Sequence, residues 1–136
     1  MKKVLVDISV LLDLLLNRDP WAADASAIWN AHVNSNLQAF VAAFSLPTIF
    51  YVVRRQADLD VAREAVRVCL ATLEILPIDH ATLEAAWEMS GSDFEDNLQI
   101  ACAMQAGIDI IVTRDPRGFS GSSVPVLSPS ELRSQM

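Results

Sequence analysis

The chain has 136 residues, 52% of them apolar, enough to bury one substantial core and too few for two ordinary domains, so a single domain over residues 1–136 is expected. Its formal charge of −7 argues against a broad basic surface that coats a phosphate backbone, so any nucleic-acid contact must run through a few local arginines or bound cations. Its two cysteines, Cys69 and Cys102, lie in apolar runs without Cys-x-x-Cys or Cys/His spacing, which argues against a zinc framework or disulfide scaffold and makes a reduced, cytoplasmic location the expectation.

Residues 3–7, Lys-Val-Leu-Val-Asp, form a β-branched apolar run ending in an acid, the pattern of a buried parallel strand with Asp7 at its carboxyl end. Asp7 and Asp13 break the apolar start, so neither a signal peptide nor a membrane span is expected there. Ser9 is placed to cap a helix carrying Val10, Leu11, Leu14 and Leu15 as far as Asn17. Pro20 suits the first position of the next helix, whose stripe of Ala23, Ala27, Ile28 and Ala31 runs to about Asn34. Residues 37–42 read as the second strand, followed by a helix capped by Ser45 with Pro47 in its first turn. An amphipathic helix over 59–73 leads to a third strand at 74–78, and Asp79 caps a helix reaching Glu88. Ser92 and Glu95 have the spacing of a capping box for a helix that runs to Gln105 and stops at Gly107. A strand at 109–113, a loop at 116–123 and a short strand at 124–127 complete the series.

Strands alternating with helices predict an α/β fold, a mainly parallel sheet covered on both faces, in which ligands bind beyond the carboxyl ends of the strands. Asp7 and Asp115 both fall at such ends. Asp93 and Asp96 lie three apart in the first turns of one helix and project from nearly the same face. Converging carboxylates suit hard divalent cations such as Mg²⁺ or Mn²⁺. Without one they repel and raise each other's pKa. Read alone, each aspartate has an ordinary structural explanation, since helix starts favour negative charge. Glu95 reads as a cap, His32 and His80 as surface or cap-region residues, and Trp21, Trp29 and Trp87 as packing residues on helical stripes.

Four patterns in order sharpen this reading: VDISVLLDLLLNRDP at 6–20, SLPTIFYVVRR at 45–55, SDFEDNLQIACAMQAGIDIIVTRD at 92–115 and VPVLSPSEL at 124–132. With these pieces the chain resembles, over essentially its whole length, the PIN-domain family, in particular the VapC-type toxin ribonucleases of toxin–antitoxin pairs. The resemblance implies an α/β/α sandwich, Mg²⁺ or Mn²⁺ as cofactor, and hydrolysis of RNA. It makes Asp7 the first acid of the D-x-[NS]-hydrophobic motif, with Ser9 supporting it. Asp96 becomes the acid of the late helix, Asp93 a supplementary ligand, and Asp115 the last acid, oriented by Thr113. Asp7, Asp96 and Asp115 are then the catalytic centre, and Arg114 and Arg117 are the expected contacts to the RNA strand. The chain departs from the family pattern at Thr48, where a glutamate is usual, and at Gly118, where an acid often precedes the phenylalanine, here Phe119. A hydroxyl cannot neutralise a cation as a carboxylate does.

The resemblance further implies an antitoxin partner and a homodimer, and the mean hydropathy of +0.31 independently suggests an apolar interface. Two other readings remain at this stage. A PIN-fold module with impaired catalysis that only binds an antitoxin or RNA would fit Thr48 and the acidic composition. A haloacid-dehalogenase phosphatase would also place an aspartate after the first strand, but its second acid would stand where Ser9 does.

Overall fold

The structure, a computed structural model, describes all of residues 1–136. Five short strands, β1 (Lys3–Val6), β2 (Gln38–Ala42), β3 (Glu74–Leu76), β4 (Ile110–Val112) and β5 (Val126–Leu127), form one all-parallel sheet in the order β3-β2-β1-β4-β5. Seven helices accompany them: α1 (Ile8–Leu15), α2 (Ala22–Val33), α3 (Ser45–Gln56), α4 (Leu59–Thr72), α5 (His80–Glu88), α6 (Phe94–Gln105) and α7 (Pro129–Ser134). Because strand residues alternate between faces, each strand contributes to two cores. Val4, Val6, Ala39, Val41, Ile110 and Val112 pack with α1 to α4 and α7, whereas Leu5, Phe40 and Ile111 pack with α6, Phe119 and Val124. The architecture is thus a three-layer α/β/α sandwich. Leu5, Val41 and Ile111 are fully buried, and burial of each such side chain contributes roughly 1.5–3 kcal/mol.

The sheet order changes direction between β1 and β4. From β1 the chain winds outward through β2 to β3, then crosses back to β4 on the other side of β1. A crevice forms at such a reversal because the connections leave in opposite directions. The Asp7 N–H donates to the carbonyl of Val112 at 3.0 Å and closes the ladder at this point, so the residues after β1 and β4 emerge side by side.

Local chemistry moved several expected boundaries. Ser9 is not the cap of α1: Asp7 holds that position, and the Ser9 hydroxyl donates to the Asp7 carboxylate from inside the first turn. α2 begins at Ala22 with Trp21 at its cap, and Pro20 stays in the preceding turn. Ser45 lies within α3, fully buried, rather than capping it. The Ser92–Glu95 box is replaced by Asp93, whose carboxylate accepts the N–H of Asp96; a charged acceptor competes better for these orphan donors than the hydroxyl one residue earlier. β3 and β5 are shorter than expected, and 116–119 within the expected loop form a 3-10 turn. α7 was not anticipated, although Ser128, Pro129 and Glu131 supply a capping box with proline in its first turn. His32 is no surface residue in its role: the N–H of Ala39 donates to its Nδ1, and its Nε2–H donates to the carbonyl of Thr72, tying α2, β2 and α4 together. Trp29 packs against the core edge, but Trp87 is 80% exposed and has no packing role within the chain. Cys69 and Cys102 are free and buried, and burial pushes both thiols up to about 11, which leaves them unreactive.

Candidate active site

Asp7 stands at the carboxyl end of β1, beside the end of β4. Its Oδ2 accepts hydrogen bonds from the Thr113 hydroxyl at 2.8 Å and the Ser9 hydroxyl at 3.1 Å, and its Oδ1 accepts one from Gln99 Nε2 at 3.2 Å. Three elements, α1, the end of β4 and α6, therefore fix one carboxylate. Thr113 is fully buried and serves two residues at once, since its oxygen also accepts the N–H of Asp115 at 3.1 Å. That double contact couples the direction of the chain after β4 to the position of Asp7.

Asp96 enters from the first turn of α6 and is partly buried. Its carboxyl is pushed up to about 6, first by burial and then by the negative charges of Asp93, Asp7, Asp115 and Glu95. All four acids singled out from the sequence therefore act on one electrostatic neighbourhood, with Glu95 as a fifth. Gly118, in the turn after Asp115, lies so close that a Cβ there would fall 2.3 Å from Asp96 Oδ2. An acid at this position, usual in the resemblance described above, would collide with Asp96 in this arrangement. Asp115 is exposed, and the Arg117 Nε donates to its Oδ1 at 3.4 Å. Thr48 is half-buried in the first turn of α3.

The two arginines differ sharply. The Arg117 side chain is 94% exposed, and its ion pair with Asp115 at 3.4 Å is open to solvent and therefore weak. Arg114 is committed to the fold: Nε and Nη2 donate to Asp13 at 2.6 and 3.2 Å, and its guanidinium lies 4.0 Å from the centre of the Trp21 ring. Asp13 is only 1% exposed, and Arg18 adds a second cation at 3.9 Å. The structural reading of Asp13 holds, and it draws Arg114 away from the solvent face.

Asp7, Asp93, Asp96 and Asp115 offer hard oxygen donors, the set that Mg²⁺ or Mn²⁺ prefers. Their repulsion, visible in the raised pKa of Asp96, is the kind a divalent cation relieves. As they stand, no three of the acidic side chains are grouped tightly enough to grip an ion. Asp115, exposed and leaning toward Arg117, is the one with freedom to close. A further oxygen belongs to Gln99, which sequence reasoning missed: the residue is 1% exposed and its Oε1 is buried without a hydrogen-bond partner. The signal for both Gln99 and Asp13 was a polar residue interrupting an apolar run, Leu98-Gln99-Ile100 and Leu12-Asp13-Leu14. The residues present fit a hard divalent cation.

The profile of the PIN domain family matches residues 3–117. Among solved structures, the chain is similar to VapC20 of Mycobacterium tuberculosis, a sarcin-ricin loop cleaving toxin, at 16% identity and a TM-score of 0.71, covering 87% of this chain and 94% of that one. It is similar to a toxin–antitoxin complex from Klebsiella pneumoniae at 18% identity and a TM-score of 0.70, covering 93% and 97%. FitAcB from Neisseria gonorrhoeae matches at 17% identity and a TM-score of 0.70, covering 93% and 98%. No curated protein sequence matches the chain. Likeness at such identities shows a shared fold.

Proposed function

The chain belongs to the PIN domain family, and on that premise we propose that it is a ribonuclease dependent on Mg²⁺ or Mn²⁺, the toxin of a toxin–antitoxin pair. The observation that carries this reading is the Asp7 carboxylate held at the carboxyl end of the sheet by Ser9, Thr113 and Gln99, with Asp96 partly buried on α6 and pushed up first by burial and then by Asp93, Asp7, Asp115 and Glu95. Asp7, Asp96 and Asp115 would hold the cation, with Asp93 supplementing them. When bound, the ion supplies Lewis-acid stabilisation of charge on the phosphoryl oxygens and lowers the pKa of a coordinated water. Ser9, Thr113 and Gln99 keep the Asp7 carboxylate turned as an acceptor. Thr113 also sets the backbone from which Asp115 projects. Arg117, exposed and paired only with Asp115 at 3.4 Å, is assigned to a phosphate of the RNA strand; Arg114 acts on substrate only through the backbone it anchors.

An antitoxin partner is proposed from the structural relatives that are themselves toxin–antitoxin complexes. Exposed apolar side chains support a protein interface: Tyr51, Leu59, Val61 and Leu70 on α3 and α4, and Leu83, Trp87, Phe94 and Met104 on α5 and α6. A homodimer and an antitoxin complex would each cover part of this surface. No helix is long and apolar enough to cross a membrane. The family match removes the phosphatase alternative. The binding-only alternative draws support from Thr48 and from the open grouping of the acids.

The test is cleavage of RNA by the purified chain with Mg²⁺ or Mn²⁺. Asp7→Asn and Asp96→Asn are expected to keep their circular dichroism spectra and lose cleavage. Metal-dependent cleavage at native rate in both variants contradicts the assignment, and its absence from the native chain favours the binding-only module.

A further inference from the structure

We infer that Gln99 is a positioning residue for the ion site, acting through Asp7 and retained at the expense of the core around it. Gln99 is buried on α6 between the buried apolar residues Leu98 and Ile100. Its amide reaches out of the helix to Asp7, 92 residues earlier in the chain, and Nε2 donates to Oδ1 at 3.2 Å. The orientation of the amide follows from this contact: turned the other way, its oxygen would face a carboxylate oxygen. The other end then has no partner, and Oε1 stays buried and unpaired.

A buried acceptor without a donor destabilises the fold, so this arrangement does not serve the core. It serves the carboxylate. Ser9 and Thr113 both bind Oδ2, and Gln99 alone binds Oδ1. Without Gln99 the carboxylate is held at one oxygen and turns more freely about that anchor. Groups that orient a ligating carboxylate commonly account for 10- to 100-fold in metal affinity. The inference rests on the proposed ion site and adds to it the residue that holds the second oxygen of Asp7.

The experiment compares the native chain with Gln99→Met, which keeps the length of the side chain and removes both polar ends. Each is melted without metal and across a Mn²⁺ titration. The variant is expected to melt at or above the native temperature without metal, and to need roughly ten times more Mn²⁺ for the same thermal shift. A purely structural role for the amide would give the opposite pattern: a lower metal-free melting temperature, or a variant that does not fold, overturns the inference. So does a thermal shift with the same dependence on Mn²⁺ concentration as the native chain. If the native chain itself shows no Mn²⁺ response, the ion site fails and this role fails with it, an outcome distinct from a native response that Gln99→Met retains in full.

Discussion

Asp96 is the one aspartate whose carboxyl is pushed above the ordinary range. Its folded pKa of about 6 lies above the ordinary value of 3.8, chiefly through burial and then through the acids around it. The folded state therefore binds a proton more tightly than the unfolded chain between these values. Stability of the metal-free protein should fall as the pH rises from about 4 to about 6 and level off above it. Other acids add slopes of their own, so the informative comparison is with Asp96→Asn, which should lose this component and be the more stable protein at pH 8. Urea denaturation of both proteins at pH 4.5 and pH 8 measures the difference. A native chain that gains no stability relative to Asp96→Asn on acidification would show that Asp96 is not crowded. Neighbouring Arg114 teaches a second lesson at this scale. It was expected to contact the RNA strand, yet a buried carboxylate six residues beyond Asp7 claims its guanidinium. Nothing in the spacing of 13 and 114 announces that pair, which exists only because α1 and the turn after β4 share the same rim.

At the scale of elements, the crevice is the meeting of α1, the start of α6 and the turn after β4. The 3-10 turn passes so close to α6 that Gly118 leaves no room for a side chain against Asp96. Gly118→Ala is therefore expected to displace the Asp96 carboxylate and weaken Mn²⁺ binding on the order of 10-fold. Because the residue is exposed, stability should change by no more than about 0.5 kcal/mol. Calorimetric Mn²⁺ titration alongside a thermal melt separates the two effects, and unaltered affinity would mean that the turn yields instead of the acid. The elements themselves were largely legible. Continuous apolar runs located every strand and period-3.6 stripes six helices, because a strand buried on both faces and a helix buried on one each leave their own trace in sequence. α7 was overlooked despite its capping box, since six residues carry too little periodicity to be noticed. Caps at Ser9 and Ser92 went wrong because an aspartate nearby takes the capping position, whereas Ser45 lies one residue inside α3 and its buried hydroxyl bonds to nothing.

For the whole molecule, the parallel order and its reversal at β1 and β4 explain how residues 7, 96 and 115 come to act on one another. The same topology gathers part of the acidic excess, Asp7, Asp93, Asp96 and Asp115 with Glu95, around one end of the sheet. The four acids were legible because a recurring motif order marked them. Gln99 was not, because its meaning depends on a partner 92 positions away that no local pattern identifies. The central claim is that these carboxylates share one divalent ion. Its most direct measurement is anomalous diffraction at the manganese edge from crystals of the chain soaked in Mn²⁺. The account predicts a single strong peak coordinated by oxygens of Asp7 and Asp96, with Asp115 swung in from Arg117 to join them. Saturating Mn²⁺ with no peak between Asp7 and Asp96, or with peaks only at other surfaces, would contradict it.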